Sequence, residues 1–253
     1  MHVLLTNDDG IRETGLRALY DSLTDVVDVT VVAPAADQSA VGRSLSSRVA
    51  VEENDFGYAV HGTPADCVVA GLQSLAPDVD LVVSGCNRGA NLGQYTLGRS
   101  GTVSAAVEAA FFERPAIAVS MYIPDGVDYR TFDPDPGDYR EAARAARFLT
   151  ENALEDGVFD EADYLNVNVP MADEPCPMEI TEPSAYYDMD AVRDGGDIEL
   201  RDRIWERMAE GSLPDPEGTD RRAVVEGRVS VSPLTAPHTI RRHPALGDLA
   251  EEF

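Results

Sequence analysis

The sequence predicts an α/β fold built on a mostly parallel sheet, and three observations carry that expectation. Short, wholly apolar runs such as Val3-Leu4-Leu5 and Leu81-Val82-Val83 read as strands buried on both faces. Amphipathic stretches at helical spacing lie between such runs, and a strand–helix–strand unit implies a right-handed crossover between parallel strands. At 253 residues and 43% hydrophobic content, the chain suits one such domain with an appended subdomain.

The first strand runs directly into Asn7-Asp8-Asp9-Gly10. In an open α/β sheet, ligands bind beyond the carboxyl ends of the strands. Two adjacent carboxylates at that place repel each other unless a cation or a proton lies between them. Asn, Asp and Gly are also ordinary turn formers, so an Asx turn is the plainer reading of the same cluster. Leu16, Leu19, Tyr20 and Leu23 recur at helical spacing and predict the first helix. Residues 29–33 predict a second strand, ended by Pro34. The small, polar stretch 34–47 predicts a loop that brings Ser39 to the sheet edge of Asp8 and Asp9, although most serines in such loops merely cap turns. Residues 48–60 predict a hairpin turning at 54–57.

Thr63 as N-cap, Pro64 at the first helical position and Asp66 in the first turn predict a helix start. Cys67, Val68, Val69 and Leu72 supply its apolar face. After the strand at 81–83, residues 84–99 read as a long loop rich in Gly and Asn, with Asn87 and Asn91 in it. It leads to Ser100-Gly101-Thr102-Val103, where an Ala-rich helix opens. A helix N-terminus presents free N–H groups to an anion, and Thr102 adds a hydroxyl. A capped helix after a flexible loop is the plainer reading. Strands at 115–120 and 164–169, the latter as the last of the main sheet, flank a helix at about 139–149. Past Pro170 the texture changes. Ile198, Leu200 and Ile204 within 178–210 predict extended arms or a hairpin, 211–222 a polar turn, 223–232 a strand, and 244–253 a short acidic helix.

Charge narrows the function. Asp and Glu number 46 against 20 basic residues, for a formal net charge of −26, and every basic residue is Arg. The acids are spread along the whole chain, which fits a protein adapted to a high-salt cytoplasm. There the Debye length is only ~3 Å at 1 M salt, so self-repulsion is screened while carboxylates keep the protein soluble. No stripe of Arg forms, so binding to a nucleic-acid polymer is not expected. No apolar run reaches the ~18 to 20 residues of a membrane span, and no basic-then-apolar leader is read, so a cytoplasmic protein is expected. Cys67, Cys86 and Cys176 are odd in number and far apart, against both a disulfide framework and a zinc site. His238 and His243 flank an Arg pair and read as a solvated turn.

Four loops thus converge on one sheet edge, carrying Asp8-Asp9, Ser39, Asn87 with Asn91, and Ser100-Gly101-Thr102. Carboxylate, hydroxyl and amide oxygens are hard ligands, suited to Mg²⁺ or Mn²⁺. A phosphate cradle beside such an ion is a site for phosphoryl transfer or phosphate hydrolysis. There is no Walker A motif and no GxGxxG turn after the first strand, which excludes a P-loop NTPase and a dinucleotide fold.

Six runs together resemble the SurE-type survival-protein nucleotidases. They are Leu4-Leu5-Thr6-Asn7-Asp8-Asp9-Gly10; Val32-Ala33-Pro34 with Ser39; Gly62-Thr63-Pro64-Ala65-Asp66-Cys67; 83–93; Ser100-Gly101-Thr102-Val103; and 226–234. The resemblance implies a Rossmann-like three-layer α/β/α domain and a metal-dependent phosphomonoesterase acting on nucleoside 5′-monophosphates, and leaves open whether 3′-monophosphates and short polyphosphate are also cut. It implies that Asp8, Asp9, Ser39 and Asn87 bind one divalent metal ion per subunit, with Asp8 and Asp9 also catalytic. Asn91, Ser100, Gly101 and Thr102 would hold the substrate phosphate. It further implies a homodimer or homotetramer built by C-terminal arms. On that basis residues 1–170 form the catalytic domain and 171–253 the extended arms, hairpin and C-terminal segment for oligomerisation, with 223–234 packing back on the main domain. Arg99 stands where the family usually has an aromatic residue, and Cys86 replaces a usual aliphatic. A dehalogenase-type phosphatase normally shows Asp-x-Asp after strand one, whereas the carboxylates here are adjacent. A nucleotide- or phosphate-binding sensor without turnover is the alternative from another class.

Overall fold

The computed structural model describes residues 1–124 and 132–236. Its main sheet has nine strands. In chain order these are β1 (His2–Thr6), β2 (Asp28–Pro34), β3 (Val51–Asn54), β4 (Gly57–Val60), β5 (Leu81–Arg88), β6 (Ala116–Tyr122), β7 (Tyr164–Pro170), β8 (Met178–Ile180) and β11 (Val229–Leu234), the last joining from beyond a separate hairpin. Across the sheet they run β3-β4-β2-β1-β5-β6-β7-β11-β8. The six strands from β4 to β7 are parallel, as their unbroken apolar runs predict. Antiparallel pairs appear only toward the edges, at β3–β4 and β7–β11. The separate two-stranded hairpin joins β9 (Met189–Asp194) to β10 (Asp197–Asp202).

Helices cover both faces, giving the three-layer α/β/α arrangement. On one face α1 (Thr14–Leu23) and α5 (Arg140–Asn152) bury Leu16, Leu19, Leu23, Ala142 and Ala146 against Val3, Leu5, Val83 and Ile117. On the other, α2 (Pro64–Ala70) and α4 (Gly101–Phe111) bury Cys67, Val68, Val103 and Ala106 against Leu4, Val32 and Val82. Leu4 facing one core while Val3 and Leu5 face the other is the period-two signature of a strand buried on both sides. A third cluster packs Ala90 and Leu92 against Ile204 and Met208 of α6 (Ile204–Ala209) and Val224 of α7 (Asp220–Val225).

Local chemistry fixes several ends. Thr63 and Asp66 form a reciprocal capping box at the start of α2, with Pro64 at its first turn. Other elements depart from their sequence pattern. β5 runs on through Arg88, because after an irregularity between Ser84 and Asn87 its residues 87 and 88 pair again with β6. β7 is not the last strand of the main sheet, since β11 and β8 extend it. Residues 220–225 are helical despite Val224-Val225, and the strand starts only at Val229. The acidic helix expected at 244–253, and His238 and His243, lie outside the described residues.

Candidate active site

β1 is the point where the sheet changes direction: β2 lies on one side of it and β5 on the other, both parallel. Loops from neighbouring strands part there, leaving a crevice at the carboxyl ends. The four loops singled out by sequence meet in it.

Asn7 takes the turn-forming role, its Nδ2 donating to Gly10 O (2.9 Å) while its Oδ1 accepts from Gly10 N (3.2 Å). Gly10 has φ +124°, a backbone region closed to most side chains. With Asn7 making the turn, Asp8 and Asp9 are left to point elsewhere. Asp8 is 3% exposed, and its Oδ1 accepts from Thr102 Oγ1 at 2.5 Å. Asp9 is half-buried, and its Oδ2 accepts from Arg88 N at 3.2 Å. Burial raises the Asp8 carboxyl above its ordinary range, opposed by the hydroxyl and main chain of Thr102. Burial, and then the charge of Asp8, raise Asp9 from 3.8 to about 7. The positive charge of Arg88 offsets only part of this rise at Asp9.

Of the remaining candidates, the loops carrying Ser39 and Asn87 and the start of α4 are tied to this pair, whereas Asn91 is bonded to other partners. Gln38 N donates to the main-chain oxygen of Asp8 (2.7 Å), which pins the loop carrying Ser39 beside it. Ser39 is exposed, and its Oγ and N donate to Asp37 Oδ1 at 2.6 and 2.8 Å. Asn87 Nδ2 donates to Gly89 O (2.6 Å), which fixes the orientation of its amide. Ser100 caps α4, its Oγ accepting from Val103 N at 3.1 Å. Gly101 lies against Asp8 so closely that a Cβ there would sit 2.7 Å from Asp8 Cβ and 2.8 Å from its Oδ2. The helix N-terminus and the buried carboxylate therefore share one corner. Asn91 is set deeper: it is 6% exposed, its Nδ2 donates to Ser120 Oγ (2.9 Å), and its main chain is held by Asn166 and Asn168.

Two contributors were not singled out by sequence. Asp37 adds a third negative charge that pushes both Asp8 and Asp9 upward; its signal is an acid two residues before Ser39, in the same polar loop. Asp220 is fully buried, accepting from Gly93 N (2.6 Å), Ser184 N (3.0 Å) and Arg221 N (2.8 Å). Arg221, 2% exposed, reaches Tyr186 O (2.7 Å), Ser184 Oγ (3.2 Å) and Asp215 (3.4 Å). Together they clamp the 91–94 loop to the C-terminal part of the chain. Nothing in the polar stretch 211–222 distinguishes such a pair from solvated charges.

Residues 3–188 match the family model described as Survival protein SurE. The chain belongs to the SurE family. Relatives called 5′-nucleotidase SurE include one from Natronomonas pharaonis, 65% identical with 100% of both chains covered. One from Haloarcula marismortui is 61% identical over 99% of this chain and 94% of its own. Among solved structures, the SurE protein from Aquifex aeolicus superposes with a TM-score of 0.81 at 30% identity, covering 99% of this chain and 100% of that one. Relatives at this level come from salt-adapted archaea, in keeping with the acid-rich composition.

Proposed function

We propose that this chain is a divalent-metal-dependent 5′-nucleotidase that hydrolyses nucleoside 5′-monophosphates to nucleoside and phosphate. The observation that carries the reading is the shared corner, in which Asp8 touches both Gly101 and Thr102 at the start of an 11-residue helix. Cation-type oxygens and an anion-binding helix end thus adjoin. The high identity to relatives bearing the 5′-nucleotidase name supports it further.

The donor chemistry fits one Mg²⁺ or Mn²⁺ per subunit, held by Asp8, Asp9, Ser39 and Asn87. Among the described residues no group of three or more His, Cys, Asp or Glu is placed to bind a metal, so hydroxyl and amide oxygens would complete the set. The two raised carboxyls are the sign of fit, because a dication beside them offsets the cost of keeping buried carboxylates ionised. When bound, such an ion neutralises phosphate charge and lowers the pKa of an attacking water. Ser100, Gly101 and Thr102 would meet the phosphate oxygens with the helix N-terminus, stabilising charge where it develops. Asn91, anchored through Ser120, would complete the phosphate-binding set. Asp8 is committed to Thr102, whereas Asp9 is restrained by one backbone N–H and is the better placed to orient the water.

In this reading residues 1–170 carry the chemistry and 171–253 the association of subunits into a homodimer or homotetramer. The β9–β10 hairpin supports that role by exposing Ile198 (65%) and Leu200 (72%). Pairing of β11 with β7 supports counting residues 229–234 with the main sheet. Among the described residues no helix is long and apolar enough to cross a membrane.

The test is phosphate release from a panel of 5′- and 3′-nucleoside monophosphates and short polyphosphate in molar KCl, with Mn²⁺, Mg²⁺ or EDTA. Release that needs metal and is lost in Asp9→Asn is the expected result. Nucleotide binding by the metal-loaded protein without any release would overturn it in favour of a sensor.

A further inference from the structure

Immediately before the α4 N-terminus, Arg99 lays its guanidinium carbon 3.8 Å from the centre of the Tyr95 ring. Tyr95 in turn stacks on Tyr187, with centroids 5.1 Å apart and planes within 13°. Arg99 and Tyr187 both pack against the Tyr95 ring, and the three groups form one pile. It stands open to solvent, with Arg99 exposed and Tyr95 and Tyr187 36% and 60% exposed. Exposed aromatic surface of this kind, when held rigid, is what a planar ligand requires.

The pile is held rigid from below. Gln94 N donates to Ser184 O (2.8 Å), Gly93 N and Ser184 N both donate to Asp220, and Tyr186 O accepts from Arg221. The residues beside both tyrosines are thus bound to one buried acid–arginine pair. Arg99 is fixed separately, its main-chain oxygen accepting from Gly42 N (3.0 Å) in the loop that carries Ser39. Its Cα lies one residue step, about 3.8 Å, from that of Ser100. A molecule with its phosphate at 100–102 would therefore lie beside Arg99.

We propose that Arg99, backed by Tyr95 and Tyr187, is the nucleobase subsite, the base stacking on the outer face of the guanidinium. Guanidinium planes and aromatic rings both stack on bases, and stacking tolerates every base because each has a π-face. Stacking also suits a protein of net charge −26 working in concentrated salt, where Coulombic attraction to the substrate is screened within a few ångströms. Packing on Tyr95 restrains the guanidinium before a ligand arrives, which lowers the ordering cost of binding.

The inference rests on the nucleotidase reading for its substrate, and the experiment separates the two. The ratio of kcat/KM for AMP to that for ribose 5-phosphate, which lacks the base, is measured in the full chain and in Arg99→Lys, Arg99→Tyr and Tyr95→Ala. The same ratio of affinities is measured at equilibrium in EDTA, where binding is read without turnover. Arg99→Lys keeps the charge and loses the plane, so the ratio is expected to fall about tenfold, within the range of base stacking; Tyr95→Ala should lower it in the same direction. Arg99→Tyr restores a plane and should keep the ratio near that of the parent. An unchanged ratio in Arg99→Lys, or equal losses for both ligands, would overturn the subsite. Failure to release phosphate from either compound would sink the nucleotidase reading alone, because the affinity ratio still decides the subsite.

Discussion

Asp9→Asn should make the metal-free protein more stable while it removes activity. Asp9 is raised from 3.8 to about 7 by burial and by Asp8. An acid whose pKa is raised in the folded state binds its proton more tightly there than in the unfolded chain. Its contribution to stability is therefore full below pH 4, shrinks as pH rises, and reaches its minimum above pH 7. A difference of about 3 pH units corresponds to about 4 kcal/mol in full, and to about 2 kcal/mol once solvent screening at the half-buried Asp9 is allowed for. The asparagine has the same shape, can still accept from Arg88 N through its oxygen, and carries no charge beside Asp8. For a chain of this size, 2 to 4 kcal/mol moves the melting temperature by roughly 5 to 15 °C. The assay is thermal unfolding of both proteins in EDTA and molar KCl from pH 4 to 8. The variant's advantage should open between pH 4 and 7 and stay level above that. Saturating Mn²⁺ should reverse the order, since only the parent gains the full binding energy. A variant less stable than the parent in EDTA at pH 8, or an advantage independent of pH, would refute the reasoning.

Three other outcomes follow from contacts already described. Gly101→Ala places a methyl group 2.7 Å from Asp8 Cβ, so Asp8 must move; Mn²⁺ affinity, read by calorimetry, should fall by at least about tenfold. Asp220→Ala strips the acceptor from three buried N–H groups and leaves Arg221 beside Asp215 alone. Urea unfolding should show a loss of about 3–5 kcal/mol, since each buried donor left without a partner costs about 1–3 kcal/mol. Replacing Ile198 and Leu200 together with Ser should lower the mass seen by light scattering without changing the melting temperature of the monomer, because both side chains are solvent-exposed in the single chain.

What could be read in the sequence was what is determined locally. The capping box at Thr63 and Asp66 lies within four residues, and the parallel strands announce themselves through runs such as Val3-Leu4-Leu5. The gathering of Asp8, Ser39 and Thr102 also followed, because strand ends in a parallel sheet share one edge. Features fixed by distant partners were not legible. Ser84 to Arg88 reads as a loop because Gly85 and Asn87 are poor strand formers, yet pairing with β6 carries the strand onward. Val224 and Val225 suggest a strand, but Asp220 and Arg221 are held by segments far away and the helix forms around them. The depth of Asn91 likewise depends on Ser120, Asn166 and Asn168, which come later in the chain.

The hydrogen bond from Gly93 to Asp220 spans 127 residues. Chains fold progressively as they leave the ribosome, N-terminal parts first, and contacts between distant positions form last. A nascent polypeptide therefore carries its paired aspartates and the helix opening at Gly101 well before the residue that secures the neighbouring loop has been translated. Premature termination or C-terminal clipping would leave a partly folded product with the acidic pair present and the loop unclamped. The loop that carries Asn91 is thereby secured only once residue 220 has been made.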